Sequence, residues 1–283
     1  LKELNVRLPE MYRLSGRTEE AEKMRLKLAT DDPENAAEHL FWYAMCAKNR
    51  NDFQTAADRF QNVADKYPDH LMGENALMEV YGCLIMVPGK KPQAEAAFEE
   101  LWNTHPGFRS EALVVKAEIH NMFTRDYAQA LRCLNQLRSE YPQSQQAMRS
   151  ETTLLRADTL AKNGSWAESV QCFKQLLAQS KSQDQAWGVM DRIARLYRQE
   201  GRFDSARQWY YRISSAESAP WSRRAKAAYD IAMTRSDQKD ILGAVRALRA
   251  VALNYSSSEW GSRAGAKLLE IRTRDGRELG KSE

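Results

Sequence analysis

A small residue recurs along this chain at a nearly fixed interval, and no other feature constrains the fold as strongly. The positions are Ala21, Ala56, Ala94, Ala130, Ser169, Ala206 and Ala244, which lie 35 to 39 residues apart. A period of this length is typical of helical arrays, in which each unit buries its apolar face only by stacking on its neighbours. We therefore expect an all-α solenoid.

Two further positions repeat in register with the small residue. Four residues after it stands a bulky apolar residue in six copies, with Arg25 in its place in the first: Phe60, Phe98, Leu134, Phe173, Tyr210 and Leu248. A proline follows twelve residues after it in four copies: Pro33, Pro68, Pro106 and Pro142. Because proline cannot continue a helix, it marks the link to the next copy. Each unit is therefore predicted to be a first helix, a short turn, a second helix and a link.

This pattern resembles that of the tetratricopeptide repeat family. The copy from Trp187 to Pro220 carries the family's small, aromatic and bulky residues at Ala194, Tyr197, Gly201, Phe203, Ala206, Tyr210 and Ile213. The resemblance implies one right-handed superhelical solenoid over residues 1–283, with a capping helix at 259–273 and a fraying tail at 274–283. The repeats are placed at about 2–35, 37–70, 75–108, 111–144, 150–183, 187–220 and 225–258.

Two link sequences carry a second, local resemblance. Lys66-Tyr67-Pro68-Asp69 and Glu140-Tyr141-Pro142-Gln143-Ser144 are similar to the endings of repeats in bacterial envelope proteins. That class includes outer-membrane assembly lipoproteins and the Tol-Pal coordinator. The resemblance favours a periplasmic or envelope location over the cytoplasm.

The chain offers little for catalysis or for metal binding. No two of the four cysteines form a CxxC pair; they are Cys46, Cys83, Cys133 and Cys172. The four histidines are scattered along the sequence: His39, His70, His105 and His120. Zinc sites need ligands at closer spacing. No phosphate loop or nucleophile motif is present. No apolar run approaches the roughly 18 residues of a membrane span. We expect a protein without metal, cofactor or enzymatic activity.

The family resemblance implies that the first helix of each pair lines the concave face. On this chain that register gives an apolar set for binding a partner, which consists of Phe41, Met45, Met86, Val115, Ile119, Met122 and Phe123. We expect Met86, Ile119, Met122 and Phe123 to be partly exposed. Two alternatives stay open, because the same side chains could be ordinary core or could form an interface between copies of the chain.

The C-terminal third has a different character. Residues 187–283 carry 19 Lys and Arg against 12 Asp and Glu, whereas residues 1–186 have a net charge of −3. Three arginines recur at helical spacing, and two more basic residues follow on the next first helix; this basic set is Arg192, Arg195, Arg198, Arg223 and Lys226. It suits an acidic segment of a partner. The alternative is that Asp191 and Asp230 neutralise it.

The function predicted from these features is a scaffold or adaptor that binds a peptide or helix of another protein. A self-associating structural module is the alternative. Nucleic-acid binding by a helical repeat is a lower one, since it requires a uniform basic groove. The acidic balance of residues 1–186 disfavours such a groove.

Overall fold

The computed structural model describes Pro9, residues 11–12, 14–180 and 182–279, with side chains as far as Ile271. The chain divides into two compact units, and the division lies between Thr152 and Thr153. The prediction of one continuous array over the whole chain stays a prediction.

The first unit is a series of paired helices joined by short turns. Its helices are α1 (Thr18–Asp31), α2 (Ala36–Asn49), α3 (Phe53–Lys66), α4 (Leu71–Leu84), α5 (Lys91–Thr104), α6 (Arg109–Ile119), α7 (Tyr127–Glu140) and the short α8 (Gln145–Met148). Short 3₁₀ turns at Pro33–Asn35 and Pro106–Phe108 form two of the links, and a π turn, His120–Thr124, follows α6. The predicted first helix of copy one falls mainly on residues outside the described ones.

The second unit continues the alternation of first and second helices. Its helices are α9 (Ser150–Lys162, which begins just before the division), α10 (Trp166–Gln179), α11 (Gln183–Gln199), α12 (Phe203–Ser214), α13 (Trp221–Asp237), α14 (Ile241–Asn254) and α15 (Glu259–Leu279). The last helix ends at Leu279, six residues beyond the expected 273, and residues 280–283 lie outside the described ones. The described residues contain no strand, and the all-α prediction is confirmed.

The recurring small residues all lie on second helices, and all seven are buried. In copy five the contact is explicit, since the Ser169 hydroxyl on α10 donates a hydrogen bond to the Ala157 carbonyl on α9 over 2.7 Å. The bulky residues four positions later are buried as well, including Arg25. The small side chain thus lets the two helices of a pair approach, and the bulky one fills the core beside it.

A left-handed residue stands five positions before the small residue in every copy. It is glycine in four copies and a non-glycine residue in three: Gly16, Asn51, Gly89, Arg125, Gly164, Gly201 and Lys239. Its positive φ ends the first helix and turns the chain back. In three copies the next residue is an aspartate that accepts the hydrogen bond of a backbone N–H in the second helix: Asp52, Asp126 and Asp240. The turn between paired helices is therefore one repeated device.

Links between pairs use a close backbone approach in both units. A Cβ on Gly73 would lie 2.0 Å from the Tyr67 carbonyl oxygen, and a Cβ on Gly261 would lie 2.0 Å from that of Tyr255. Both glycines stand six residues after the tyrosine that ends the preceding helix. Only glycine fits here, so these two links depend on it.

Candidate functional site

The π turn at the end of α6 presents two large apolar side chains to solvent. Met122 is 65% exposed and Phe123 is 52% exposed. The turn gives the chain one extra residue before Arg125, whose φ of 57° starts the return to α7. Single-turn π segments are frequent at functional sites. Met122 and Phe123 are therefore the members of the apolar set that are most available to a partner.

Buried polar contacts hold this turn in place. The His120 Nε2 atom lies 3.0 Å from the Tyr81 hydroxyl of α4, and its Nδ1 atom lies 3.1 Å from Thr124 Oγ1. The Thr124 hydroxyl donates its hydrogen to the His120 carbonyl, so the Thr124 oxygen accepts a hydrogen bond from His120 Nδ1–H. The proton of the neutral ring is then on Nδ1, and Nε2 accepts from the Tyr81 hydroxyl. Burial lowers the pKa of His120, which keeps the ring neutral. The neutral ring thus ties the turn to α4.

The remaining members of the apolar set are less accessible. Phe41, Met45 and Val115 are half-buried and pack against the core of the first unit, and Met86 is half-buried in the turn after α4. The expectation that Ile119 is partly exposed was wrong, because only 7% of it is accessible. Its Cδ1 atom fills the space beside Gly82, where a Cβ would come within 3.2 Å. The set therefore does not form one open apolar groove.

Two lysines that the apolar set omitted lie on the same first helices. The Lys116 ammonium on α6 lies 3.8 Å above the centre of the Phe98 ring and pairs with Glu95 over 2.6 Å. Lys48 of α2 pairs with Glu79 of α4. These contacts place charge between the apolar residues, at two positions of the predicted concave-face register.

Every member of the basic set is paired with an aspartate. Three contacts join α11 to its neighbouring first helices: Arg192 with Asp158, Arg198 with Asp237 (2.5 Å) and Arg223 with Asp184 (2.6 Å). Arg198 also lies 3.9 Å from Asp230. Lys226 of α13 lies 2.7 Å from Asp191 and 2.8 Å from Asp230, and Arg195 lies 3.1 Å from Asp191. Five basic groups thus face five aspartates. This arrangement favours the alternative of neutralisation, with more partners than Asp191 and Asp230 alone.

Burial and ion pairing at the centre of this network shift the pKa values of Asp230 and Lys226. Desolvation of Asp230 raises the pKa of its carboxyl, although Lys226 acts in the opposite direction. Burial alone would lower the pKa of Lys226, but its hydrogen bonds to Asp191 and Asp230 raise it. Lys226 therefore stays charged and serves to join α11 and α13 within the second unit.

A groove of about 370 Å³ lies beside this network, between α9, α10 and α11. Its floor includes Phe173 and Leu196, and its walls carry Asp158, Lys162 and Arg195. Arg195 is the most exposed member of the basic set, with 55% of its side chain accessible. The groove can accept an apolar side chain with a carboxylate at its rim.

The described residues show neither a metal site nor a membrane-spanning helix. No group of three or more potential metal ligands occurs among them, and none of their helices is long and apolar enough to cross a bilayer. The four cysteines are buried and free.

Comparisons with known proteins find recognisable repeats in both units. Family models described as tetratricopeptide repeat match residues 40–70 and 111–144 in the first unit and residues 154–220 in the second. No curated protein sequence matches the chain. Such repeats serve generally as non-catalytic scaffolds for protein–protein interaction.

Among solved structures, the C-terminal part of a tetratricopeptide-repeat-containing protein from Cytophaga hutchinsonii is similar, with 12% identity and a TM-score of 0.57. The match covers 91% of this chain and 98% of that one. PilW, a type IV pilus biogenesis factor, has 16% identity and a TM-score of 0.50, with 81% and 97% of the two chains covered. These likenesses show the fold, and the matched segments in both units resemble tetratricopeptide repeats.

Proposed function

We propose that this protein is a non-catalytic adaptor that binds a peptide or helical segment of another protein on the first helices of its repeats. The observation that carries the proposal is the exposure of Met122 and Phe123 side by side on a braced turn. Neither side chain serves the core, and both are of types enriched at the centre of protein interfaces. A methionine beside an aromatic ring also adapts to varied apolar partners.

The second unit contributes a different contact in this proposal. Arg195 and Lys162 line the groove whose floor is Phe173 and Leu196. We assign Arg195 to a carboxylate of the partner, because most of its side chain is accessible and a guanidinium fits a carboxylate closely. The remaining basic set, Arg192, Arg198, Arg223 and Lys226, is assigned to ion pairs between helices. The near-neutral balance of this surface also offers little attraction to nucleic-acid phosphates.

The test uses site-specific photo-crosslinking in the native cell extract. A photoreactive phenylalanine at position 123 should capture one protein partner, and the same group at the exposed Glu99 on α5 should not capture it. Met122→Asp should weaken capture several-fold with unfolding stability changed by less than about 0.5 kcal/mol. A Met122→Asp variant that unfolds would assign the side chain to the core.

Self-association is the other outcome that this experiment separates. A crosslink from position 123 to a second copy of the chain, with a dimer mass in light scattering, would replace the adaptor proposal by a structural module. Binding of unrelated RNA that weakens steeply with salt would favour the nucleic-acid alternative.

The cell envelope is the location we propose for this adaptor. Support comes from the two link sequences similar to envelope repeat proteins, Lys66-Tyr67-Pro68-Asp69 and Glu140-Tyr141-Pro142-Gln143-Ser144. Fractionation of cells that express the full natural protein checks this, and recovery in the cytoplasmic fraction alone would contradict it.

A further inference from the structure

The outer face of α14 carries an unusual stripe of four side chains. Leu242, Arg246, Arg249 and Leu253 follow one another at spacings of four, three and four residues, so they share one face of the helix. Leu253 is 78% exposed and Leu242 is 73% exposed, the highest values among the large apolar residues that the structure describes. The stripe is about 16 Å long, given the rise of an α-helix.

The two arginines of this stripe have no acidic partner within the described residues. Helix α14 itself contains neither Asp nor Glu. The nearest acidic residue before it, Asp240, already accepts a hydrogen bond from the Gly243 N–H and pairs with Arg235 over 2.7 Å. Arg246 and Arg249 differ in this respect from the basic set on α11 and α13, whose members all face aspartates.

We propose that this stripe, which lies on a second helix whereas the proposed function uses first helices, docks an acidic amphipathic helix of a partner protein. Spacings of four and three residues form the seam along which one helix packs on another. Leu242 and Leu253 would seat apolar residues at the two ends, and the arginine pair would meet two carboxylates at the centre. The small Ala250 beside the stripe allows a close approach of the partner backbone.

The pattern of charge selects this occupant over two others. A second copy of α14 docked by two-fold symmetry would place Arg246 against Arg249, and like charges repel. A helix that lies on a membrane surface presents an apolar band wider than a single seam, whereas here arginines occupy the centre of the exposed face. An acidic amphipathic helix matches the leucines at the two ends of the stripe with apolar residues and the arginines at its centre with carboxylates.

The test uses a designed probe, because no natural ligand is required. The probe is a short labelled helical peptide with Leu, Glu, Glu and Leu at the same spacings, and a second peptide carries Lys in place of both Glu residues. Fluorescence anisotropy at low salt measures binding to the full chain. The reversal Arg246→Glu with Arg249→Glu should weaken binding of the acidic peptide roughly tenfold and create binding of the lysine peptide.

A matched control reverses two exposed arginines elsewhere, Arg132→Glu with Arg138→Glu on α7. This control should bind the acidic peptide as the unchanged chain does. The proposal is overturned if the acidic peptide does not bind, or if both double variants lose it equally. It is also overturned if the arginines of α14 are needed for binding to phosphatidylserine vesicles while the peptide is ignored. The Met122→Asp variant should bind the peptide normally, which separates this proposal from the adaptor function.

Discussion

The first helices of the two units use different chemistry on the same backbone plan. In the first unit, the side chain of His120 braces a π turn that exposes Met122 and Phe123. In the second unit, ion pairs join neighbouring first helices repeatedly, as between Arg192 and Asp158 and between Lys226 and Asp191, whereas Lys48 with Glu79 is the corresponding pair in the first unit. Beneath both surfaces the packing is alike, because a buried small residue and a buried bulky residue recur in each copy. The repeat therefore fixes the backbone and leaves the first-helix surface free to vary, which is how one fold serves different partners.

The largest expected effect tests what the two units share. Gly73→Ala and Gly261→Ala should each lower the free energy of unfolding by about 3 kcal/mol, the upper end for overpacking, because the new Cβ meets a backbone carbonyl. Urea unfolding followed by circular dichroism measures the change.

The matched control for the two glycines is Gly188→Ala on α11. A Cβ there meets nothing within 4 Å, and removing a helical glycine should stabilise by roughly 0.5–1 kcal/mol. Equal stabilities for Gly73→Ala and Gly188→Ala would contradict the close approach at the link. A loss confined to one unit would mean that the units do not share this device.

Acid should separate the two units, because all four histidines lie in the first. Burial lowers the pKa of His39 and of His120 below the usual 6.5, so the unfolded chain binds more protons as pH falls through that value. Stability contributed by the neutral rings is complete above pH 6.5 and is lost below it. Melting of the first unit should therefore shift down between pH 7.5 and 5.5.

Hydrogen exchange with mass spectrometry reports on each unit in that pH range. In the double variant His39→Gln with His120→Gln, the protection of α2 and α6 against hydrogen exchange should depend less on pH. The exposed His70, whose Nδ1 accepts from the Met72 N–H, supplies the control His70→Gln. The same acid sensitivity in the second unit, or an unchanged pH dependence in the double variant, would show that other groups titrate.

The fold could be predicted from the sequence because a small residue at fixed period has a single packing role. The left-handed turns were harder, since Asn51, Arg125 and Lys239 carry no glycine signal. What identifies them is their position, five residues before the small residue. The exposure of Ile119 was predicted wrongly, although Gly82 on the preceding first helix indicated the space that Ile119 fills.

The ion-pair network has a signal in the sequence, which is the spacing of its partners. Asp158 and Arg192 are 34 residues apart, and Asp191 and Lys226 are 35 apart, about one repeat in each case. Opposite charges separated by one period lie beside each other on stacked first helices. Tyr81 and His120 are also about one repeat apart, at 39 residues, but that spacing does not indicate the π turn that follows α6.

The smallest expected effect concerns the single arginine assigned to a partner. Arg195→Glu should change the free energy of unfolding by no more than about 0.5 kcal/mol, since its one ion pair, with Asp191, is exposed at the arginine end. Association with the crosslinked partner should slow by a few-fold at low salt, and the difference should shrink as salt rises. Arg263→Glu is a close control, because Arg263 is equally exposed at 55% and also pairs four residues away, with Glu259. If the two variants slow association equally, the effect is one of net charge, and Arg195 has no contact of its own with the partner.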